Sequence, residues 1–231
     1  MEGAVLIAEA IAGGFHVVTQ FVSGDAFPVM GSDAEVFQLG AGVLERVAST
    51  EAPQPNLAIV ERRSASLGRL LTPDAARSAG EPWVVYLDSV TDPGNLGTIL
   101  RTAEAMGAAG VVLSPGCVDA FNPKVVRSSA GALFHVPVIE AVTLAELRDA
   151  GFALVGTSSH EQPGAVEVRA ADLSGRIAVV MGNEKHGVAA EHASAIERWV
   201  YIEHRGRAES LNVAMATAIV CFALAGQRAK Q

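Results

Sequence analysis

Cysteine is scarce in this 231-residue chain: Cys117 and Cys221 are the two present, too few for a disulfide scaffold and without metal-ligand spacing. A reducing cytoplasm is the expected compartment, and ordinary packing the expected role of both thiols. Basic residues are missing from the first 45 positions, where Glu2, Glu9, Asp25, Asp33, Glu35 and Glu45 precede the first cation, Arg46. A secretory signal opens on a basic segment, so "MEGAVLIAEAIAGGF" is not read as one. No apolar run reaches membrane length. The longest, "VAMATAIVCFALAG" from Val213, has 14 residues against the roughly 20 needed to span a bilayer, and reads as a buried helix. Charge is sparse at 18% of residues, and the net of -8 disfavours a polyanionic partner at first sight. The imbalance is local, however: of 25 acids six precede Arg46 and 19 follow, against 17 bases, which leaves room for a basic surface.

What is abundant is apolar side chain, half of the total, punctuated by 23 glycines and 10 prolines. That is the composition of a folded chain with many short elements, and the order of those elements predicts an α/β protein. Residues 1–78 read as a small α/β unit: a helical "EGAVLIAEAIAGG", an apolar "HVVTQFVS", a helical "DAEVFQLGAGVLERVAS" and a strand-like "NLAIVERR". The Pro-, Gly- and Ala-rich "LTPDAARSAGEPW" reads as a linker, with the boundary near residue 78. Residues 79–231 then alternate strand and helix: strands "WVVYLDSV", "GVVLS", "VPVIEA", "FALVGTSS", "IAVVMG" and "WVYIE", helices near 96–106, 123–130 and 144–151, a short helix after "IAVVMG", and a final helix from about 211. Strands apolar at consecutive positions belong to a parallel sheet covered on both faces, whose ligands bind at the carboxyl ends.

Three loops at such ends concentrate polar residues. "DPGNLGTILR" at 92 lacks the G-x-G-x-x-G spacing that admits a dinucleotide's pyrophosphate, and instead carries Asn95 and Arg101. Asn95 could cap the helix, and Arg101 could be solvated. "VVMGNEKHG" carries Glu184 between Gly182 and Gly187, where a capping carboxylate is the plain alternative. "RAESLNVA" offers Ser210 as a cap for the final helix, which leaves Asn212, opening an apolar helix, harder to explain structurally. Three such loops in one unit point to a site. Other chemistries fail on spacing. "RSSAG" at 127 lacks the first glycine of a nucleophile elbow, and His186, His192 and His204 form no H-E-x-x-H set, so no metal is expected.

Four segments, "DSVTDPGNLGTILRTAEAMGAAGVVL", "RSSAGALFHVPV", "IAVVMGNEKHGV" and "ESLNVAMATAIVCFAL", together resemble, in order and spacing, the SpoU (TrmH-like) family of RNA ribose 2'-O-methyltransferases in the SPOUT superfamily. The match runs over about residues 84 to 226, and the N-terminal unit more weakly resembles that family's ribosomal-protein-like substrate-binding domain. The resemblance implies a catalytic domain whose C-terminal part is a trefoil knot, a rare exception to unknotted topology. It also implies a homodimer with active sites at the interface, whose partner would cover part of the apolar final helix. The implied cofactor is S-adenosylmethionine (AdoMet), bound near Thr157, Ser158, Gly182, Ile202 and Leu211, largely through backbone groups. The implied reaction is attack of a ribose 2'-hydroxyl on the sulfonium methyl, in ribosomal RNA ahead of transfer RNA. Asn95, Arg101, Glu184, Ser210 and Asn212 would serve catalysis; Arg101, Lys124 and Arg127 would contact RNA. Arginine is about the hardest side chain to deprotonate, so Arg101 is read as orienting the nucleotide and stabilising charge.

Two departures stand out. "IEHRG" replaces an Ile-Pro-Met-like turn, placing Glu203 where a proline commonly shapes the cofactor pocket, and relatives often have an additional strand before the position of "MEG". A non-catalytic knotted RNA-binding or ribosome-assembly protein is the alternative reading.

Overall fold

The computed structural model describes residues 1–48, 50–71, 80–159, 163–184 and 186–228. Its N-terminal part runs α1 (Ala4–Ala12), β1 (Val17–Ser23), β2 (Glu35–Leu39), α2 (Leu44–Val47), β3 (Asn56–Val60) and α3 (Leu67–Leu71). The larger part runs β4 (Trp83–Leu87), α4 (Pro93–Ala105), β5 (Gly110–Leu113), α5 (Pro123–Ser128), β6 (Val138–Ile139), α6 (Leu144–Asp149), β7 (Ala153–Ser158), β8 (Ala165–Glu167), β9 (Ile177–Met181), β10 (Arg198–Tyr201) and α7 (Val213–Arg228).

The large sheet has seven strands in the order β6-β5-β4-β9-β7-β10-β8, every pair parallel. Strands β4, β5 and β9 are buried at every position, as continuous apolar runs on a twice-covered sheet must be. Alternate side chains divide the core. Trp83, Val85 and Leu87 pack with α4 and α7 on one face, while Val84 and Tyr86 pack with Leu147, Phe152 and Leu154 on the other. Connection order is unusual at the centre: β9 enters between β4 and β7 after β8 has been laid at the far edge, and β10 then enters between β7 and β8.

The small sheet, β2-β1-β3, pairs β1 with β2 in parallel and with β3 antiparallel. Its α1-facing side buries Ile7, Val17 and Ala58, and the buried Gln20 amide is matched by Val29, whose oxygen accepts from Nε2 and whose N–H donates to Oε1, both at 2.8 Å. The opposite side is open, with Phe21 stacked on Phe37 at 5.8 Å between centroids and Ile59 exposed. Helix α1 also joins the large core through Leu6 and Ala10, and Glu9 meets His135 Nε2 at 2.6 Å. The expected boundary at residue 78 lies outside the described residues.

Several sequence expectations are corrected. Residues expected to be helical from Asp33 begin instead with strand β2, because "EVFQL" is β-branched, aromatic and short, and Gly40 and Gly42 end it before the four-residue α2. Strand β8, three residues long, and helix α3 carry no periodic signal and were not expected. The short helix after β9 is a 3-10 turn, Ala193–Ala195. Both thiols are packing groups: burial pushes Cys117 up, and Cys221 up to about 12.

Candidate active site

Loop closure after β4 begins with the α4 cap. Asp92 supplies it, its Oδ1 accepting from Asn95 N–H at 2.8 Å, with Pro93 at the first helical position. Capping is therefore not the task of the Asn95 side chain, which turns to two other loops. Its Nδ2 donates to Glu184 Oε1 at 2.9 Å, and its Oδ1 accepts from Asn212 Nδ2 at 3.0 Å. Glu184 Oε1 also accepts from Asp92 N–H at 3.4 Å. The two ends of α7 are fixed separately. Asn212, rather than Ser210, caps it, Oδ1 accepting from Ala214 N–H at 2.9 Å. At the far end the buried Arg228 donates to the carbonyls of Glu81, Leu173 and Gly175. Asn212 thus has a structural role that its sequence position did not disclose, while its amide nitrogen remains directed at Asn95.

Beside this carboxylate–amide–amide relay lies a cavity of about 310 Å3 at the carboxyl ends of β7, β9 and β10 and the start of α7. Thr157, Ser158, Gly182, Ile202 and Leu211 all line it, with Glu184 and Ser210. Its floor is apolar (Met181, Val200, Val213, Val220) and its mouth polar, with Asn183, His186, Tyr201 and His204. None of these four was singled out as a ligand residue from the sequence; their signal was adjacency to Gly182, Glu184 and Ile202. Thr157 Oγ1 is spent on Val180 O at 3.0 Å. Gly182 is required by close approach: a Cβ there would stand 2.0 Å from the carbonyl carbon of Gly187 and 2.1 Å from Val188 N, because the 183–187 turn folds back over it. Asn183 and Gly187 close that turn by exchanging backbone hydrogen bonds at 2.9 Å.

Glu203 does not line the cavity. Its Oε2 faces Arg169 Nη2 at 3.4 Å and Arg205 Nη2 at 3.5 Å, so the carboxylate in the proline position points away from the pocket. The three expected RNA-contacting cations lie elsewhere. Arg101 is exposed on α4 and lines an open groove with Thr98, Gly131 and Ala218 of α7. Lys124 and Arg127 are exposed on α5, Arg127 facing a hollow of about 690 Å3 beneath the small sheet. That hollow is larger but mostly apolar, and it lies away from the strand ends of the large sheet. Among the described residues, no group of three or more His, Cys, Asp or Glu is placed to hold a metal, and no helix is long and apolar enough to cross a membrane.

Residues 82–222 match the sequence profile of the SpoU rRNA Methylase family. The chain belongs to this family. Among relatives of this SpoU protein, the 23S rRNA (guanosine(2553)-2'-O)-methyltransferase RlmP of Bacillus subtilis is 34% identical, over 98% of this chain and 88% of its own. The 23S rRNA (uridine(2479)-2'-O)-methyltransferase of Streptomyces viridochromogenes is 32% identical, over 80% of this chain and 65% of its own. In structure the chain is similar to an AdoMet-bound rRNA methyltransferase from Sinorhizobium meliloti, with TM-score 0.82, 30% identity, and coverage of 98% of this chain and 86% of that one. It is also similar to the SpoU methyltransferase AviRb from Streptomyces viridochromogenes in complex with AdoMet, with TM-score 0.85, 28% identity, and coverage of 99% and 89%.

Proposed function

We propose that this protein is an AdoMet-dependent 2'-O-methyltransferase of ribosomal RNA. The observation that carries the reading is the Glu184–Asn95–Asn212 relay, drawn from three distant loops to the edge of one cavity. The cavity suits AdoMet: its apolar floor accepts an adenine, its polar mouth accepts the amino-acid end, and about 310 Å3 falls within the range of small-ligand sites. Bound there, AdoMet supplies an electrophilic methyl group on a sulfonium. The chain's own contribution is alignment. Asn95, held by hydrogen bonds at both ends of its amide, and Glu184 fix the 2'-hydroxyl, with Glu184 Oε2 as the acceptor of its proton. Arg101 stays charged and neutralises the adjoining phosphate.

Met215, Ile219 and Phe222 form an exposed apolar stripe on α7, and the groove of Arg101 borders that helix at Ala218. That exposed stripe supports a homodimer in which a second copy covers α7, with active sites at the interface. The late entry of β9 and β10 into the sheet centre supports a trefoil knot in the cofactor loops. The N-terminal unit, residues 1–78, is the substrate-binding unit, with Lys124 and Arg127 as further phosphate contacts. An RNA substrate and the free thiols of Cys117 and Cys221 support a cytoplasmic location.

The test is calorimetry with AdoMet, together with transfer of labelled methyl from AdoMet to undermethylated 23S rRNA. Micromolar binding and label on a ribose 2'-oxygen are expected. Binding without transfer to any RNA would favour a non-catalytic assembly protein, and absence of both would refute the reading.

A further inference from the structure

Asp88 is the first residue beyond β4 and is 1% exposed, a carboxylate taken almost wholly out of water. Burial on that scale is costly unless the charge is met by donors. Two donors come from a segment 101 and 104 residues away: Ala189 N–H and His192 Nδ1, each at 2.9 Å from Oδ2. An ionised carboxylate only accepts, so Nδ1 carries the proton. Asp88 N–H in turn donates to Met181 O at 2.8 Å, tying the same residue to the end of β9. Neither Asp88 nor His192 lines the cavity.

The adjoining residue shows how firmly this corner is set. Ser89 has φ of 58°, left-handed for a non-glycine, a strained conformation that persists where surroundings over-determine it. Its N–H donates to Ser114 Oγ at 2.9 Å and its carbonyl accepts from Asn183 Nδ2 at 2.6 Å. Gly182–Glu184, His186 and Gly187, which form one cavity wall, are therefore fastened to the corner at 88–92 from two sides: by Asn183 and Glu184 within the turn, and by Ala189 and His192 after it.

We propose that Asp88 and His192 are positioning residues, which hold the 183–187 turn closed over Gly182 and so set affinity for the cofactor without touching it. This rests on the methyltransferase reading above. The role differs from that of Glu184, Asn95 and Asn212, which face the acceptor. Loss of the clasp frees the far flank of the turn, at Gly187 on the cavity wall, while Asn183 and Glu184 keep their hydrogen bonds to Ser89, Asp92 and Asn95. Cofactor affinity should fall, and the KM for RNA at saturating AdoMet should not change.

The experiment compares AdoMet dissociation constants by calorimetry, and melting temperatures, for His192→Ala, His192→Asn, Asp88→Asn and a control, Leu147→Ala, in the core on the other sheet face. Asparagine places a nitrogen donor where Nδ1 stands. Expected is a rise in Kd of about tenfold for His192→Ala, the size of one lost charge-assisted hydrogen bond, and recovery to within about threefold of the parent for His192→Asn. Leu147→Ala should melt earlier yet bind AdoMet within about twofold of the parent. The proposal is overturned if His192→Ala binds as tightly as the parent, if His192→Asn is no better than His192→Ala, or if Leu147→Ala loses affinity in step with its melting temperature. Should Asp88→Asn fail to fold, the two His192 variants decide. Failure of the unaltered chain to bind AdoMet would instead bring down the parent reading, and this inference with it.

Discussion

The two sheets of this protein solve burial differently. In the seven-stranded sheet both faces are covered, so β4, β5 and β9 are inaccessible along their whole length, and polar chemistry is confined to the strand ends. In the three-stranded sheet one face lies under α1 and the other leaves Phe37 and Ile59 in the open. The first arrangement builds a rigid frame with a site at one edge; the second presents a surface. Helix α1 serves both, since Ile7 belongs to the small core while Leu6 and Ala10 belong to the large one.

Substitutions can break or sharpen this contrast. The largest effect should come from Trp83→Ala, which empties the centre of the large core and is expected to cost about 3–5 kcal/mol, read from the denaturant midpoint. Next is Arg101→Ala, exposed on α4. It should lower kcat/KM for RNA by about 100-fold or more, near 2.7 kcal/mol of transition-state stabilisation, with AdoMet affinity held within about twofold. Equal loss of both would refute its assignment to the acceptor side. Phe222→Glu, in the apolar stripe of α7, is expected to convert the proposed dimer to a monomer in light scattering, with activity lost. The smallest is Phe37→Ala on the open face, expected to shift stability by no more than about 0.5 kcal/mol. A cost for Phe37 approaching that of Trp83 would show that its face is covered, and the contrast between the sheets would fail.

Local features were legible in the sequence where local physics decides them. "WVVYL" and "IAVVM" announce buried parallel strands because every position must be apolar. The capping box at Thr143 and Glu146 fixes the start of α6 within one segment. Polar loops around Gly182 and Ser210 marked the cavity, since sites gather at strand ends. Strand β2 was misassigned because "AEVFQLGAGVLERV" has apolar spacing that fits a helix as well as a strand, and pairing with Thr19–Ser23 decided between them. The order of the large sheet could not be read, being fixed by pairings such as Trp83 with Ile177, across 94 residues. Nor could the tasks of Asn212 and His192. In the sequence Asn212 had no evident structural role and His192 was only a histidine without metal partners; a helix cap and a buried Asp88 supply their roles.

The central position of β9 has a consequence for how the protein is made. A chain emerging in order from the ribosome presents β4, β5, β6 and β7 before the strand that must lie between β4 and β7 exists. β4, β5 and β6 can pair with one another at once, but β7 cannot take its final place until residue 181 is free, and the cavity is not enclosed until Leu211 and α7 follow. β7 must therefore remain loosely associated, with a slot left open beside β4 for a latecomer, and a nascent chain that stops before β9 lacks the strand at the centre of the ligand pocket. Competence to bind arrives abruptly, once β9, β10 and α7 have emerged.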